Sequence, residues 1–284
     1  MQALRKMVKS VPGAEAVVGS RAVRSVRAAW RRHGAVEGSL KFTARELLGP
    51  RGRLGVYTLT GSAVSVVLRH RTRDVEIFEE IFVGNPTYSP PAAVRELLSV
   101  KPLRVLDLGG NIGLFGAFVL AEFRVDSMTT FEPDPSNLPV LHQCRAINPH
   151  GRWRVIEACA AGTDGAVSFS SGMYADSHVS FDARDAGIEV PAIDVLPYMA
   201  QADLVKIDIE GSEWDILADP RLADIGTTVV VMEWHAFRSP TPDPHRAATQ
   251  LLEDAGFTVH GIDHGYPHGT VWAWKLAPAL ALPA

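Results

Sequence analysis

From Leu103 onward, short apolar runs alternate with helical segments, and this alternation limits the possible folds more than any other feature of the chain. Runs of this length, bounded by turn residues and separated by helices, mark βαβ units whose parallel strands are covered on both faces. The pattern predicts strands at Leu103–Leu108, Ser127–Phe131, Trp153–Ala158, Leu204–Asp208, Thr228–Glu233, Thr258–Ile262 and Val271–Lys275. Helices near Leu114–Phe123, Asn137–Ala146, Glu213–Ala218 and His245–Ala255 separate them. The last two strands are joined by about eight residues without a helix, too few for a parallel crossover, so the final strand runs antiparallel. The expected class is α/β with a mostly parallel seven-stranded sheet.

Upstream, Leu54–Thr60 and Ala63–Arg69 flank Gly61-Ser62, which suits a β-hairpin with a two-residue turn. Asp74–Val83 reads as a helix with Val75, Phe78, Ile81 and Phe82 on one side. The Pro-rich stretch Asn85–Pro91 is the natural boundary. The expected organisation is an N-terminal region 1–91, a catalytic domain 92–276 and a frayed tail 277–284. Met1–His33 carries eight basic residues against Glu15 alone, and Val18, Val23, Val26 and Trp30 recur at roughly helical spacing. That pattern predicts a solvated basic helix, with weak contact to a membrane surface or a partner as its alternative use.

Over 284 residues, 28 Lys and Arg against 32 Asp and Glu with 46% apolar residues describe a globular chain, and the slight acidity argues against generic nucleic-acid binding. The longest strongly apolar stretch, Ile112–Ala121, is about half the ~20 residues of a membrane span, and no secretory leader opens the chain. A cytoplasmic protein is the expectation. Cys144 and Cys159 are too few for a disulfide framework and read as buried apolar residues.

The first strand runs into Asp107-Leu-Gly109-Gly110-Asn111-Ile-Gly113, a glycine turn that opens a helix and brings backbone close to a ligand. A dinucleotide fingerprint needs glycines at positions one, three and six; from Gly109 or from Gly110 that spacing fails. Asp107 before the turn suits a cationic group such as an α-amine, so a sulfonium cofactor with an amino-acid tail fits better than a pyrophosphate. Glu132, which ends the second strand, stands where a carboxylate accepts hydrogen bonds from ribose hydroxyls. Asp134 reads as an N-terminal cap of the following helix.

Lys206-Ile-Asp208-Ile-Glu210-Gly-Ser212-Glu213 places acids at the carboxyl edge of a central strand, where open α/β sheets bind ligands. Ser212 as an N-cap and Glu213 on the helix dipole account for part of it. They leave Asp208 and Glu210 unexplained, and uncompensated buried carboxylates are costly.

Asp107–Gly113, Phe131-Glu-Pro-Asp-Pro-Ser-Asn137 and Lys206–Glu213 resemble, in order and spacing, the signatures of FkbM-type S-adenosylmethionine-dependent methyltransferases. The stretch Arg69–Tyr88 is similar to the segment preceding the core in that family. The resemblance implies a Rossmann-like class I methyltransferase sheet, ordered 3-2-1-4-5-7-6, and methyl transfer to a hydroxyl of a natural product or sugar. It implies S-adenosylmethionine binding at Asp107, Gly109, Asn111, Gly113 and Glu132, with Asn137 beside them, and chemistry at Asp208, Glu210 and the acidic motif that ends at Glu213. Gly110 stands where the family commonly has Ala.

Glu233 and His235 end the fifth strand on one side of it, beside Asp208. His235 and Asp208 are the base candidates, with Mg²⁺ or another divalent cation on Asp208, Glu233 and His235 as an alternative. His260, His264 and His268 recur every four residues, but the glycines and Pro267 among them exclude a helix and hence a three-histidine face. Tyr88, His264 and Tyr266, with His268, are expected around a small hydroxylated acceptor, and the insertion carrying Met173, Tyr174, Asp176 and His178 offers another rim. Competing readings are a nicotinamide oxidoreductase, disfavoured by the glycine spacing, a sugar transferase using Asp208 and Glu210 for a metal-bound nucleotide, and a non-catalytic binding scaffold.

Overall fold

The computed structural model describes residues 34–84, 87–149, 152–171, 178–179, 187–262 and 267–275. The basic leader, the C-terminal tail, His264, Tyr266, Met173, Tyr174 and Asp176 lie outside the described residues.

The chain enters through helix α1 (Ser39–Leu48) and a hairpin of β1 (Leu54–Thr58) and β2 (Ser65–Arg69). The hairpin forms, but not with the expected two-residue turn. Pairing stops at Thr58↔Ser65, and the loop closes through a Leu59 N–H to Val64 oxygen bond of 2.8 Å, with Gly61 at φ 75°. Buried His70 ties α1 to the hairpin, with Nε2 2.7 Å from the Tyr57 hydroxyl and Nδ1 3.0 Å from Glu46 Oε2. Helices α2 (Asp74–Phe82) and α3 (Ala92–Ser99) follow.

The central sheet comprises β3 (Leu103–Leu108), β4 (Val125–Phe131) and β5 (Arg152–Ile156), then β10 (Leu204–Ile207), β11 (Val229–His235), β12 (Thr258–Ile262) and β13 (His268–Trp274). Helices α4 (Leu114–Glu122), α5 (Leu138–Ile147), α6 (Leu196–Met199), α7 (Glu213–Leu217) and α8 (Pro244–Asp254) connect them. Between β5 and α6 lies an element that sequence reading left irregular, a four-stranded sheet of β6 (Cys159–Ala161), β7 (Gly165–Ser170), β8 (His178–Val179) and β9 (Ile188–Asp194).

The large sheet is ordered β12-β13-β11-β10-β3-β4-β5, with β13 antiparallel to both neighbours and the other pairs parallel. Counted along the central strands this is the 3-2-1-4-5-7-6 order expected of a class I methyltransferase. Successive strand residues point to opposite faces. Val105, Leu204, Val229 and Val231 pack into one apolar cluster, whereas Leu106, Val205, Val230 and Met232 pack into the other. The first cluster continues through Val66, Leu68, Phe78 and Phe42, so the hairpin and α1–α2 share a core with that face of the sheet. Cys144 and Cys159 are unpaired and buried, and burial pushes both thiols up to about 12, consistent with packing roles. Among the described residues no helix is long and apolar enough to cross a membrane.

Candidate active site

At the carboxyl ends of β3, β4, β10 and β11 opens a cavity of about 510 Å³. Its walls include Gly109, Asn111, Glu132, Asn137, Tyr88, Lys206, Asp208, Glu210, Glu233, His235 and His268. The sheet order brings these distant stretches together, and it does so at the edge where the sequence placed them.

The glycine turn is pinned from both sides. The N–H groups of Gly109 and Gly110 donate to the Phe131 carbonyl at 3.1 and 2.9 Å. Gly109 has φ 83°, and a Cβ there would collide with the Asp208 carbonyl oxygen, so no other residue fits where the β3 and β10 turns touch. Asn111, at φ 48°, donates its backbone N–H to Glu132 Oε2 at 2.6 Å, while its buried side-chain Oδ1 has no hydrogen-bond partner. Glu132 Oε1 accepts from the Asp134 N–H at 2.8 Å and from Asn137 Nδ2 at 3.5 Å. Burial outweighs these bonds and pushes the Glu132 carboxyl up to about 7.

Several sequence expectations change here. Asp107 is fully buried behind the turn and is not among the cavity's lining residues. Its Oδ1 lies 3.5 Å from Lys206 Nζ and Oδ2 accepts from the Thr130 hydroxyl at 3.4 Å, so its carboxylate faces a protein cation. Gly113 likewise lies off the cavity, packed near Leu141 and Cys144. Asn137 reaches the wall, but its Oδ1 is taken by Arg69 and its Nδ2 by Glu132. The Asp134 side chain does not cap α5; its Oδ1 accepts from the Ser136 N–H within the loop and from the Ser171 hydroxyl just after β7. Ser212 makes no side-chain cap, and Glu213 turns inward, fully buried, to accept from the Gly211 N–H at 2.7 Å and the His235 N–H at 2.8 Å.

Lys206, which sequence reading gave no role, lines the cavity. Its ammonium donates to the Gly109 carbonyl at 2.6 Å and stands 3.2 Å from Asp208 Oδ2, above the Phe115 ring. Burial favours the neutral amine, but Asp208 and Asp107 outweigh it and raise the Lys206 pKa. In return, and against burial, Lys206 and His235 hold Asp208 below the usual carboxylate range. The buried Tyr88 hydroxyl points to Asp208 Oδ2 at 3.5 Å, and burial beside that carboxylate holds the phenol protonated.

His235 is enclosed by acids: Nδ1 is 3.1 Å from Glu213 Oε1, and Nε2 is 3.3 Å from Glu210 Oε2 and 3.9 Å from Glu233 Oε1. Burial would lower its pKa, but the hydrogen bond to Glu213 and the charges of Glu210, Glu213 and Asp208 raise it to about 10. Glu210, desolvated and facing other carboxylates, rises to about 8 despite His235. Its backbone is held at φ 51°, a costly conformation for a residue with a Cβ. Asp208, Glu210 and His235 each offer one ligand atom within 4.8 Å of the others. Glu233, the third ligand expected from sequence, has Oε1 2.9 Å from His268 Nδ1.

A mostly parallel sheet in this order, a glycine turn after its first central strand and acids ending the next ones define a Rossmann-like class I methyltransferase. Residues 107–259 match the methyltransferase FkbM domain, and the chain belongs to that family, whose methyl donor is S-adenosylmethionine. The chain is 23% identical over 184 residues to Methyltransferase 1 of Beauveria bassiana (strain ARSEF 2860), covering 55% of this chain and 72% of that one. Among solved structures, methyltransferase FkbM from Methylobacillus flagellatus KT aligns at 16% identity and TM-score 0.43 over 61% of this chain and 44% of its own. Precorrin-6y C5,15-methyltransferase from Geobacter metallireducens GS-15 aligns at 15% identity and TM-score 0.40 over 70% and 94%.

Proposed function

We propose that the chain is an O-methyltransferase that moves the methyl group of S-adenosylmethionine to a hydroxyl of a small molecule. The observation that carries this reading is one cavity of about 510 Å³ joining Asn111 and Glu132 at one end to Asp208, Tyr88 and His235 at the other. Its size falls in the ~300–1,000 Å³ range of small-molecule sites. The residues fit the donor. The unpartnered Asn111 Oδ1 needs an N–H or O–H, and the Glu132 carboxylate suits ribose hydroxyls. Gly109, Gly110 and Asn111 form the adjoining wall, Asn137 sets Glu132, and Asp107 acts through Lys206.

When bound, S-adenosylmethionine supplies an electrophilic methyl group on a sulfonium. The protein aligns the acceptor oxygen and takes its proton. Asp208, held ionised by Lys206, is that proton acceptor. His235 enters protonated, the wrong state for a base; buried Glu213 behind it fixes the ring, and its positive charge keeps Glu210 in place beside the acceptor. Tyr88, Glu233 and His268 wall the acceptor end, and the segment carrying His264 and Tyr266 adjoins His268 in the chain.

A second reading is a divalent cation on Asp208, Glu210 and His235, favoured by their three convergent ligand atoms. Glu213 on His235 Nδ1 would leave Nε2 to ligate, the usual support for a metal-bound imidazole. In the metal-free reading Asp208 is the catalytic group and His235 and Glu210 position it; with a cation all three are ligands.

Calorimetry with S-adenosylmethionine, S-adenosylhomocysteine and NAD tests the donor. Binding of NAD alone would overturn it. Methyl-labelled donor with cell extracts, followed by identification of the labelled atom, tests the acceptor; a label on nitrogen or carbon would overturn O-methylation.

A further inference from the structure

We propose that Arg69, at the end of the hairpin, is a positioning residue of the donor site that holds the Glu132 loop in shape through Asn137. This rests on the reading of Glu132 as the donor's ribose ligand. Arg69 is buried and belongs to neither the glycine turn nor the 107–259 family match. Its partner Asp74 has no exposure and accepts three bonds from it, from the backbone N–H at 2.9 Å, Nε at 2.8 Å and Nη2 at 3.0 Å. That fixes the guanidinium plane. The same group then reaches across to the loop after β4, donating through Nη1 to the Ser136 carbonyl at 3.0 Å and through Nη2 to Asn137 Oδ1 at 2.7 Å.

Inside that loop the path continues to the acid. Asn137 Nδ2 donates to Glu132 Oε1 at 3.5 Å, and the Asp134 N–H donates to the same oxygen at 2.8 Å. With Oδ1 engaged by Arg69, the Asn137 amide can present only its NH₂ to Glu132, so the arginine selects the orientation that supports a carboxylate. Attachment of the hairpin does not require this reach. Asn148 already ties β2 to α5, accepting from the Ser65 N–H at 2.9 Å and donating to the Ser65 carbonyl at 2.7 Å. The donor site is therefore completed by a residue from the N-terminal layer.

The test is a double-mutant comparison by calorimetry with S-adenosylhomocysteine and its 2′-deoxy analogue. Arg69→Lys keeps the charge facing Asp74 but loses the fork. It should weaken S-adenosylhomocysteine binding by about tenfold and shrink the preference for the ribose over the deoxyribose ligand. In a Glu132→Gln background the same substitution should change affinity by less than about twofold, since its route to the ligand is already cut. Asn137→Ala breaks the path inside the loop, should reproduce both results, and decides the matter if Arg69→Lys does not fold. An equal loss in both backgrounds, or wild-type affinity and ribose preference in Arg69→Lys and Asn137→Ala, would overturn the proposal. Wild-type affinity in Glu132→Gln itself would overturn the donor reading beneath it, a result visible before the pair is compared.

Discussion

Lys206 Nζ stands 3.2 Å from Asp208 Oδ2 and 2.6 Å from the Gly109 carbonyl oxygen, so one buried ammonium joins the glycine turn to the acid at the far end of the cavity. The pairing follows from register, because Lys206 lies opposite Asp107 across the β10–β3 pair and both side chains share one side of the sheet. Removing the cation takes the nearest positive charge from buried Asp107 and half-buried Asp208, leaving Asp208 with His235 and Tyr88.

Lys206→Met should therefore raise the Asp208 pKa, and the acid limb of the pH–rate profile should move to higher pH. At pH 7, turnover should fall by about 10- to 100-fold. A profile that keeps its wild-type acid limb while losing amplitude would show that Lys206 supports the turn but not Asp208.

The second prediction separates the two base candidates. Asp208→Asn keeps the size and loses the proton acceptor, so turnover should drop by roughly 10² to 10⁴ with donor affinity within about threefold of wild type. His235→Gln should cost less, because the imidazole is already protonated near neutrality. If single-turnover rates show the opposite ranking, the base is His235.

These residues divide by how far they were legible in the sequence. The parallel strands were readable because both faces are largely buried, which favours apolar runs, unbroken at Val229–Met232 and interrupted only by Arg104 and Asp107 in Leu103–Leu108. The sheet order then placed Asp208 beside His235. The four-stranded insertion was not readable, since β7 and β9 are mostly exposed or half-buried and carry little periodicity. The ion pair of Asp107 was not readable for a different reason: spacing reports the strand end on which an acid sits, but not which cation a neighbouring strand brings opposite it. The signal for that partner was present, because Lys206 interrupts the otherwise apolar Leu204–Ile207, and a buried lysine must meet acids. Glu213 and Ser212 show the same limit. Glu213 keeps its place in the first turn of α7 while His235 from β11 claims its carboxylate, and the Ser212 side chain makes no cap.

His235 also sets a pH dependence of stability. Its pKa is raised from an ordinary 6.5 to about 10 in the folded chain. The folded state thus holds the proton more tightly, and the stabilisation is fully present below pH 6.5 and lost as pH climbs through 10. The melting temperature of the wild type should fall between pH 7 and pH 10, and His235→Gln should flatten that decline. Parallel curves for the two proteins would place the alkaline loss elsewhere.

The last prediction decides between proton transfer by Asp208 alone and a cation at Asp208, Glu210 and His235. An imidazolium repels a divalent ion, so a metal must displace the His235 proton, and at pH 7 that costs about 1.4 kcal/mol for each unit between the ambient pH and about 10. The carboxylates within reach of the ring offset part of this, and they also favour the proton. The balance therefore lies with the metal-free site unless the cation binds tightly. Purified enzyme treated with chelator and dialysed should keep its turnover, and added Mg²⁺ or Mn²⁺ should raise it by less than about twofold. Calorimetry with Mn²⁺ alone should give no site lost in Glu210→Gln. Activity abolished by chelator and restored by the ion, with release of about one proton per ion bound, would instead make His235 a ligand and reassign the acceptor's activation to the metal.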